Sequence, residues 1–332
     1  MTIRVGINGL GRIGRCVTRA IFETKADIEL VTVNGPAPVE THVHLLTYDS
    51  VHGHFPGVKA DGENLSIGGK KVKLFRERDP KQIPWGDLKL DVVLECSGKF
   101  NKRAEAAQHL VSGAKRVLIS APAEDADASI VFGVNNAMLK KEFQVVSVGS
   151  CTTNGLAPVA KVLNDAIGIE SGFMTTIHAY TGDQNLVDNS HKDLRRARAA
   201  SLSMIPTSTG AAKTIGLILP ELKGKLDGVS IRVPVPNVSL IDLTFIAKRD
   251  TSINEVNEAL SKAAAGNLKN ILGTSNEPLV SIDFTHSTFS SIADLTGTKV
   301  TGPRLCRVAA WYDNEWAFSC RMLDVAKLWA SL

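Results

Sequence analysis

Ser150-Cys151-Thr152-Thr153-Asn154 sets one cysteine between a buried-strand pattern and a helical pattern that begins near Gly155. A cysteine at a helix N-terminus meets the positive end of the helix dipole, which lowers its pKa and favours the thiolate. Flanking hydroxyls can cap such a helix or hydrogen-bond an anion there. The group is a candidate nucleophile; the alternative is a buried structural cysteine behind an ordinary Ser/Thr cap. Cys16, on the first helix, and Cys96, Cys306 and Cys320, in strand-like runs, are assigned that structural role. A thiol nucleophile needs a base, and His178 closes the strand candidate Thr175-Thr-Ile-His-Ala-Tyr180, although sequence alone does not show that it reaches Cys151. His42, His44, His52 and His54 form H-x-H pairs without cysteines or carboxylates in ligand spacing, so surface or hydrogen-bonding roles are expected and no metal site. Basic residues cluster at Arg195-Arg196-Ala-Arg198, and Arg232 stands alone in an apolar strand. A buried arginine is costly unless paired, which marks Arg232 as an anion site.

A second constellation lies near the start. Gly9-Leu-Gly11-Arg12-Ile13-Gly14 is a G-x-G-x-x-G between a strand and a helix. The first glycine permits a tight turn, the second admits a pyrophosphate to the backbone, and the third lets helix and strand pack closely. The fingerprint predicts dinucleotide binding. Its usual acidic partner, which binds the adenine-ribose 2′-hydroxyl, is missing, because the second strand ends Thr32-Val33-Asn34-Gly35. Asp27 and Glu29 lie too early. NADP therefore stays open alongside NAD.

The elements that must position these groups differ between the two halves. Ile3 to Asn8, Ile28 to Asn34, Asp91 to Glu95, Arg116 to Ser120 and Val145 to Val148 are short apolar runs separated by helical patterns at Gly11 to Phe22 and Lys102 to Ser112. This rhythm predicts a Rossmann-type doubly wound parallel sheet. Leu65 to Leu74, turning at Gly68-Gly69, reads as an inserted antiparallel pair. The second half carries longer strands at Gly172–Tyr180, Val229–Val235, Val238–Lys248 and Arg304–Tyr312, and helices at Gly155–Ile167, Ile253–Ala265 and Glu315–Leu332. Alternation such as Ile241, Leu243, Phe245 predicts an α+β catalytic domain with a mainly antiparallel sheet covered on one face. The expected division is 1–149, joined by the helix at 315–332, and 150–314. At 332 residues, two domains are the natural prior, and 44% hydrophobic against 22% charged residues suits a globular core. A net charge of +4 fits anionic metabolites and is too small to argue for nucleic acid. Five cysteines without C-x-x-C spacing argue against a disulfide framework or zinc site. With no secretory signal or bilayer span in view, a reducing cytoplasm is the expected home.

Over essentially its whole length the chain resembles the phosphorylating glyceraldehyde-3-phosphate dehydrogenases. The stretches that carry the resemblance are Ile7-Asn-Gly-Leu-Gly-Arg-Ile-Gly-Arg15, Tyr48-Asp-Ser-Val-His-Gly53, Glu77-Arg-Asp-Pro80 and Ser150-Cys-Thr-Thr-Asn154, followed by His191-Lys-Asp-Leu-Arg-Arg-Ala-Arg198, Pro206-Thr-Ser-Thr-Gly-Ala-Ala-Lys213 and Trp311-Tyr-Asp-Asn-Glu-Trp316. The resemblance implies Cys151 as nucleophile and His178 as its base. It implies Thr181 and Arg232 on the substrate phosphate, with Ser150, Thr152, Arg196, Thr209 and Gly210 on inorganic phosphate. It further implies cofactor contacts from Gly9, Gly11, Arg12, Ile13, Gly14, Asn34, Gly35, Arg78, Ser97 and Ser120, with Asn314 orienting the nicotinamide carboxamide. A homotetramer is implied too, with the loop around 180–204 between subunits.

Four positions depart from the family pattern. Gly35 stands where NAD-preferring members usually carry Asp. Asn189-Ser190 replaces the usual Leu-Pro, and members that use NADP often carry serine at the second of these positions, where it approaches the 2′-phosphate from a neighbouring subunit. Gly155 replaces a second cysteine, and Ala317-Phe318 replaces Gly-Tyr. The rival activities are an erythrose-4-phosphate dehydrogenase, which hydrolyses its thioester, and a non-catalytic nucleotide-binding relative. Pro206-Thr-Ser-Thr-Gly210 favours the phosphorylating reaction over the first; intact Cys151, His178, Thr181 and Arg232 argue against the second.

Overall fold

A computed structural model describes residues 2–332, which fall into two compact units. The first comprises 2–132, 136–149 and 319–332; the second comprises 133–135 and 150–318.

The first unit is built on β1 (Ile3–Asn8), β2 (Ile28–Asn34), β3 (Val58–Asp61), β4 (Asn64–Ile67), β5 (Lys70–Phe75), β6 (Val92–Glu95), β7 (Val117–Ile119), β8 (Ala128–Ser129) and β9 (Val145–Ser147). They form one sheet in the order β8-β9-β7-β6-β1-β2-β5-β4-β3, parallel from β8 across to β5. Its central strands are apolar almost throughout because both faces are covered: Val5, Ile7, Val92, Val93 and Leu94 are fully buried. The β4–β5 pair turns at Gly68-Gly69 as expected, but it is no separate insertion. Thr32, Val33 and Asn34 of β2 pair in parallel with Lys73, Leu74 and Phe75, so the hairpin extends the main sheet. Between β1 and β2 lies α1 (Arg12–Glu23). The glycine fingerprint shapes that junction: Gly9 has φ +98°, and a Cβ on Gly14 would run into the Gly9 carbonyl. The helical stretch between β6 and β7 is two single turns, Arg103–Ala106 and Gln108–Val111.

The second unit contains a seven-stranded mixed sheet formed by β10 (Ile169–Ala179), β11 (Ile205–Ser208), β12 (Leu226–Val233), β13 (Ser239–Ala247), β14 (Leu272–Ser275), β15 (Ser291–Thr301) and β16 (Leu305–Tyr312), in the order β11-β12-β10-β13-β16-β15-β14. Most neighbours are antiparallel; β10–β12 and β14–β15 are parallel. Ile241, Leu243 and Phe245 of β13 are buried while Thr244 and Ile246 are exposed, the alternation of a sheet packed on one face. The helix at Cys151–Ile167 packs against this sheet and against the helix Ile253–Ala265. Trp316–Ala330 forms the last helix, which places Cys320 in a helix and not in a strand-like run. From Ser319 its residues belong to the first unit, where Arg116 donates to the Trp329 carbonyl and the Trp329 indole donates to that of Lys140.

Candidate functional site

In the second unit the helix begins at Cys151, four residues earlier than its sequence pattern suggests. Ser150 is the N-cap, and its hydroxyl accepts the Thr153 N–H at 3.0 Å, so Cys-Thr-Thr becomes the first turn. No acidic side chain stands in that turn. Parallel pairing of β10 with β12 makes His178 and Arg232 direct register partners, which sets their side chains side by side. The result is a compact cluster: Cys151 Sγ lies 3.5 Å from His178 Nε2, and Arg232 Nη1 lies 2.8 Å from His178 Nδ1. The Ala179 carbonyl lies 2.7 Å from Nδ1 and 3.0 Å from Arg232 Nη1. A carbonyl has two lone pairs and can accept from both. The Arg232 guanidinium can only donate and so calls for a bare Nδ1, whereas the Ala179 carbonyl calls for a proton there. With the proton on Nδ1 and given to Ala179, the Nε2 lone pair faces the sulfur, the tautomer a base requires. Tyr312 lies under the cluster, its hydroxyl 3.0 Å from Thr152 Oγ1 and 2.8 Å from Thr176 Oγ1.

The electrostatics correct one sequence expectation. Burial pushes the Cys151 thiol up, against the Arg232 guanidinium and hydrogen bonds from Thr152 and from its own N–H, which pull it down. The helix start favours the thiolate, but loss of hydration around the sulfur outweighs it. Burial also holds His178 down, at about 3, reinforced by the Arg232 and Arg196 cations and opposed by the Ala179 carbonyl. Burial thus disfavours the charged form of both groups, and the attack of the sulfur is coupled to passage of the thiol proton to Nε2.

Arg232 has no ion-pair partner among the described residues, and its Nε is buried without a hydrogen bond. That leaves a guanidinium able to take an oxyanion, as its apolar strand suggested. Arg196 is already engaged, by Asp183, the Thr207 hydroxyl and the Ser208 carbonyl, so a phosphate arriving there would compete with a carboxylate. Thr207 in turn donates to Asp193. Thr209 Oγ1 accepts the Ala211 N–H, and Gly210 opens the helix Ala211–Ile218, which packs against the Cys151 helix. The Thr152 hydroxyl is hydrogen-bonded to that of Tyr312. Thr181 follows β10 directly, and Asn314 accepts from Ser239, whose own Oγ accepts the Ala179 N–H, so that the Asn314 side chain is tied to the His178 strand.

The first unit has a cavity of about 280 Å³ at the carboxyl ends of its central strands. Gly9, Gly11, Asn34, Gly35, Arg78 and Ser97 line it. Ser120, Ser190 and Asn314 are not in that lining; Ser190 sits on an exposed loop of the second unit. The cavity fits a dinucleotide on two observations. The start of α1 has no side-chain cap, so its first N–H groups are available to a pyrophosphate. A Cβ on Gly11 would meet nothing, whereas one on Gly9 would strike the Ser97 backbone, so the loop is pressed against β6 and open outward. Arg12 pairs through its guanidinium with Asp49, which leaves the N–H groups of Arg12 and Ile13 as what this turn presents. Burial opposes the ionisation of Asp49, but hydrogen bonds from Arg12, His52 and Val51 prevail and hold its carboxyl at about 2.

Beneath the cavity runs a buried polar chain that the sequence did not signal. Asn34 donates to Asn8, and Asn8 to Glu95. Glu95 also accepts from the Ser97 N–H and hydroxyl and from His109 Nε2. The Trp85 indole can only donate, and it donates to His109 Nδ1 at 2.9 Å, so His109 carries its proton on Nε2 and is neutral. Glu95 is thus a buried carboxylate held by four donors and no cation. It fixes Ser97, and through Asn8 and Asn34 it ties together three strand ends that form the cavity floor. Of the other histidines, His42 is buried in the cavity wall, while His44 and His54 flank the exposed Tyr48 ring. No helix among the described residues is long and apolar enough to cross a membrane.

A parallel nucleotide-binding sheet with a glycine-rich turn, followed by a mixed-sheet unit in which half-buried Cys151 and Arg232 flank buried His178, defines a two-unit dinucleotide-dependent enzyme. The family model for the glyceraldehyde 3-phosphate dehydrogenase NAD binding domain matches residues 3–103, and that for the glyceraldehyde 3-phosphate dehydrogenase C-terminal domain matches 150–314. Glyceraldehyde-3-phosphate dehydrogenases from Xanthobacter flavus and Cereibacter sphaeroides are 60% and 58% identical to this chain over 328 residues, covering 98% of each chain in both cases. That of Geobacillus stearothermophilus is 51% identical over 333 residues, covering 100% of this chain and 99% of its own. The chain belongs to the glyceraldehyde 3-phosphate dehydrogenase family.

Proposed function

We propose that this chain catalyses the phosphorylating oxidation of D-glyceraldehyde 3-phosphate to 1,3-bisphosphoglycerate, in glycolysis or gluconeogenesis, through a thioester on Cys151. The observation that carries the reading is the 3.5 Å approach of Cys151 Sγ to His178 Nε2 beside the Arg232 guanidinium, which has no ion-pair partner among the described residues. Cys151 Sγ adds to the aldehyde carbon; its proton passes to His178 Nε2 and is returned to the resulting alkoxide, which gives the hemithioacetal hydroxyl and a free Nε2. The hemithioacetal hydroxyl then gives up its proton to Nε2 as the carbon loses hydride, leaving a thioester. When bound, the nicotinamide supplies the two-electron acceptor for that hydride. Arg232 and Thr181 hold the substrate phosphate. Ser150, Thr152, Arg196, Thr209 and Gly210 hold the attacking phosphate, whose oxygen displaces Cys151 as thiol and yields the acyl phosphate. In this scheme Asp183 acts as a stand-in anion on Arg196 that inorganic phosphate replaces.

The cofactor is NAD or NADP, held through Gly9, Gly11, Gly14, Asn34, Gly35, Arg78, Ser97, Ser120 and the α1 N–H groups of Arg12 and Ile13. Asn314 orients the carboxamide, and Ser190 reaches the cofactor from a neighbouring subunit. Gly35 removes the carboxylate that would repel a 2′-phosphate, which supports use of both cofactors. The assembly is a homotetramer in the cytoplasm, with 180–204 between subunits; Leu186, Leu194, Leu202 and Met204 on that loop are more than 70% exposed in the single chain, a run of apolar surface that favours burial.

The test is steady-state turnover of glyceraldehyde 3-phosphate, with and without inorganic phosphate, using NAD and NADP in turn. Sustained turnover is expected only with phosphate, and kcat/KM for the two cofactors should agree within about tenfold, roughly 1.4 kcal/mol. Turnover independent of phosphate would favour the hydrolytic erythrose-4-phosphate type, and a much larger advantage for NAD would remove NADP from the proposal.

A further inference from the structure

Position 35 follows the end of β2, where dinucleotide folds of this type place their ribose-binding carboxylate. Here the residue is glycine, and the space its side chain would need is taken. A Cβ on Gly35 would lie 2.7 Å from Cε1 and 2.8 Å from Nε2 of His42. The imidazole comes from the helix Val39–Thr47 and is only 5% exposed. Its Nε2 lies 3.2 Å from the Gly35 carbonyl, and the Ala37 carbonyl is near enough to act on the ring. The Gly35 carbonyl therefore holds the ring across the strand end. Around it the cavity wall is weighted toward cations: Arg78 and Lys99 line the same space, Arg15 and Arg76 are near enough to act on the ring, and Glu77 is the one carboxylate among the described lining residues.

We propose that His42 is a specificity-determining residue for the dinucleotide: its ring takes the place of a side chain at position 35, bars a carboxylate from the strand end, and keeps the ribose side of the cavity open to a 2′-phosphate. This rests on the dual-cofactor reading above. Gly35 and His42 then form a coupled pair. Restoring the carboxylate without removing the ring forces either the ring out of its hydrogen bond to the Gly35 carbonyl or the new side chain out of reach of the ribose.

The pair is tested by a double-mutant cycle on the full chain. The parent protein, Gly35→Asp, His42→Ala and the double variant are titrated with NAD and with NADP by equilibrium dialysis, and the Tm of each is recorded without cofactor. Gly35→Asp alone is expected to lower Tm and to leave the NAD-to-NADP affinity ratio within about threefold of the parent. The double variant is expected to recover Tm and to shift that ratio toward NAD by about tenfold or more. If Gly35→Asp does not fold, Gly35→Ala carries the same Cβ without the charge, and rescue of its Tm by His42→Ala supports the pairing. Additive cycles, with Gly35→Asp alone giving the whole shift, or no rescue of Tm, overturn the role of His42. A parent that binds NADP more than about a hundredfold more weakly than NAD overturns the dual-cofactor reading beneath it, a result independent of the Tm cycle.

Discussion

Cys151→Ser is expected to lower kcat by at least about 10⁴-fold, roughly 5.5 kcal/mol of barrier, while cofactor affinity and Tm stay close to the parent's. Serine keeps the size of the residue and leaves the Ser150 cap intact, so the helix start survives. The chemistry does not survive. A hydroxyl is far less acidic and less nucleophilic than a thiol, and the neighbouring imidazole is a weak base because burial holds His178 at about 3. Steady-state kinetics with equilibrium dialysis of the cofactor checks both halves. A variant retaining more than about one per cent of kcat would mean that bond-making does not pass through this sulfur.

His178→Asn is expected to cost about 10²- to 10⁴-fold in kcat with a much smaller change in KM, the range for removing a positioned general base. It also makes a prediction about stability that Cys151→Ser does not share. His178 is held near 3 in the folded chain, against 6.5 for an unhindered imidazole. The unfolded chain therefore binds the proton first, so this group's contribution is complete above pH 6.5 and is lost as the pH falls from 6.5 toward 3. The loss is about 1.4 kcal/mol per pH unit in that window. The Tm of the parent should fall more steeply than that of His178→Asn between pH 6.5 and 4.5. Parallel Tm curves would show that His178 is not buried in its neutral form.

What could be read along the chain was whatever depends on neighbours in sequence. Gly9, Gly11 and Gly14 announce themselves because each answers a local demand: a positive φ, an open approach and a tight helix–strand contact. Ile241, Leu243 and Phe245 reveal one buried face through alternation alone. The helix at Cys151 began earlier than its pattern, because Ser, Cys and Thr read as cap residues and only the Ser150–Thr153 hydrogen bond shows which of them is the cap. The direction of the thiol shift depends on burial by distant segments, which no local pattern carries, and the helix dipole by itself pointed the other way. The same holds for His178 and Arg232, whose meeting follows from the parallel register of β10 and β12 across more than 50 residues of sequence. Tyr312, Glu95 and His109 gave no signal, since their roles exist only in the hydrogen bonds they make after folding. His42 was visible as a histidine, but the space it takes from position 35 was not.

The proposed chemistry passes through a covalent acyl group on Cys151, and acid-quenched mass spectrometry observes that species directly. The protein is mixed with glyceraldehyde 3-phosphate and the preferred cofactor in the absence of inorganic phosphate, quenched, and mapped by peptide. The prediction is a burst of reduced cofactor stoichiometric with active sites and a phosphoglyceroyl group on the Cys151 peptide, discharged when phosphate is added before the quench. A full burst with no adduct on that peptide, or with the adduct on another cysteine, would contradict it.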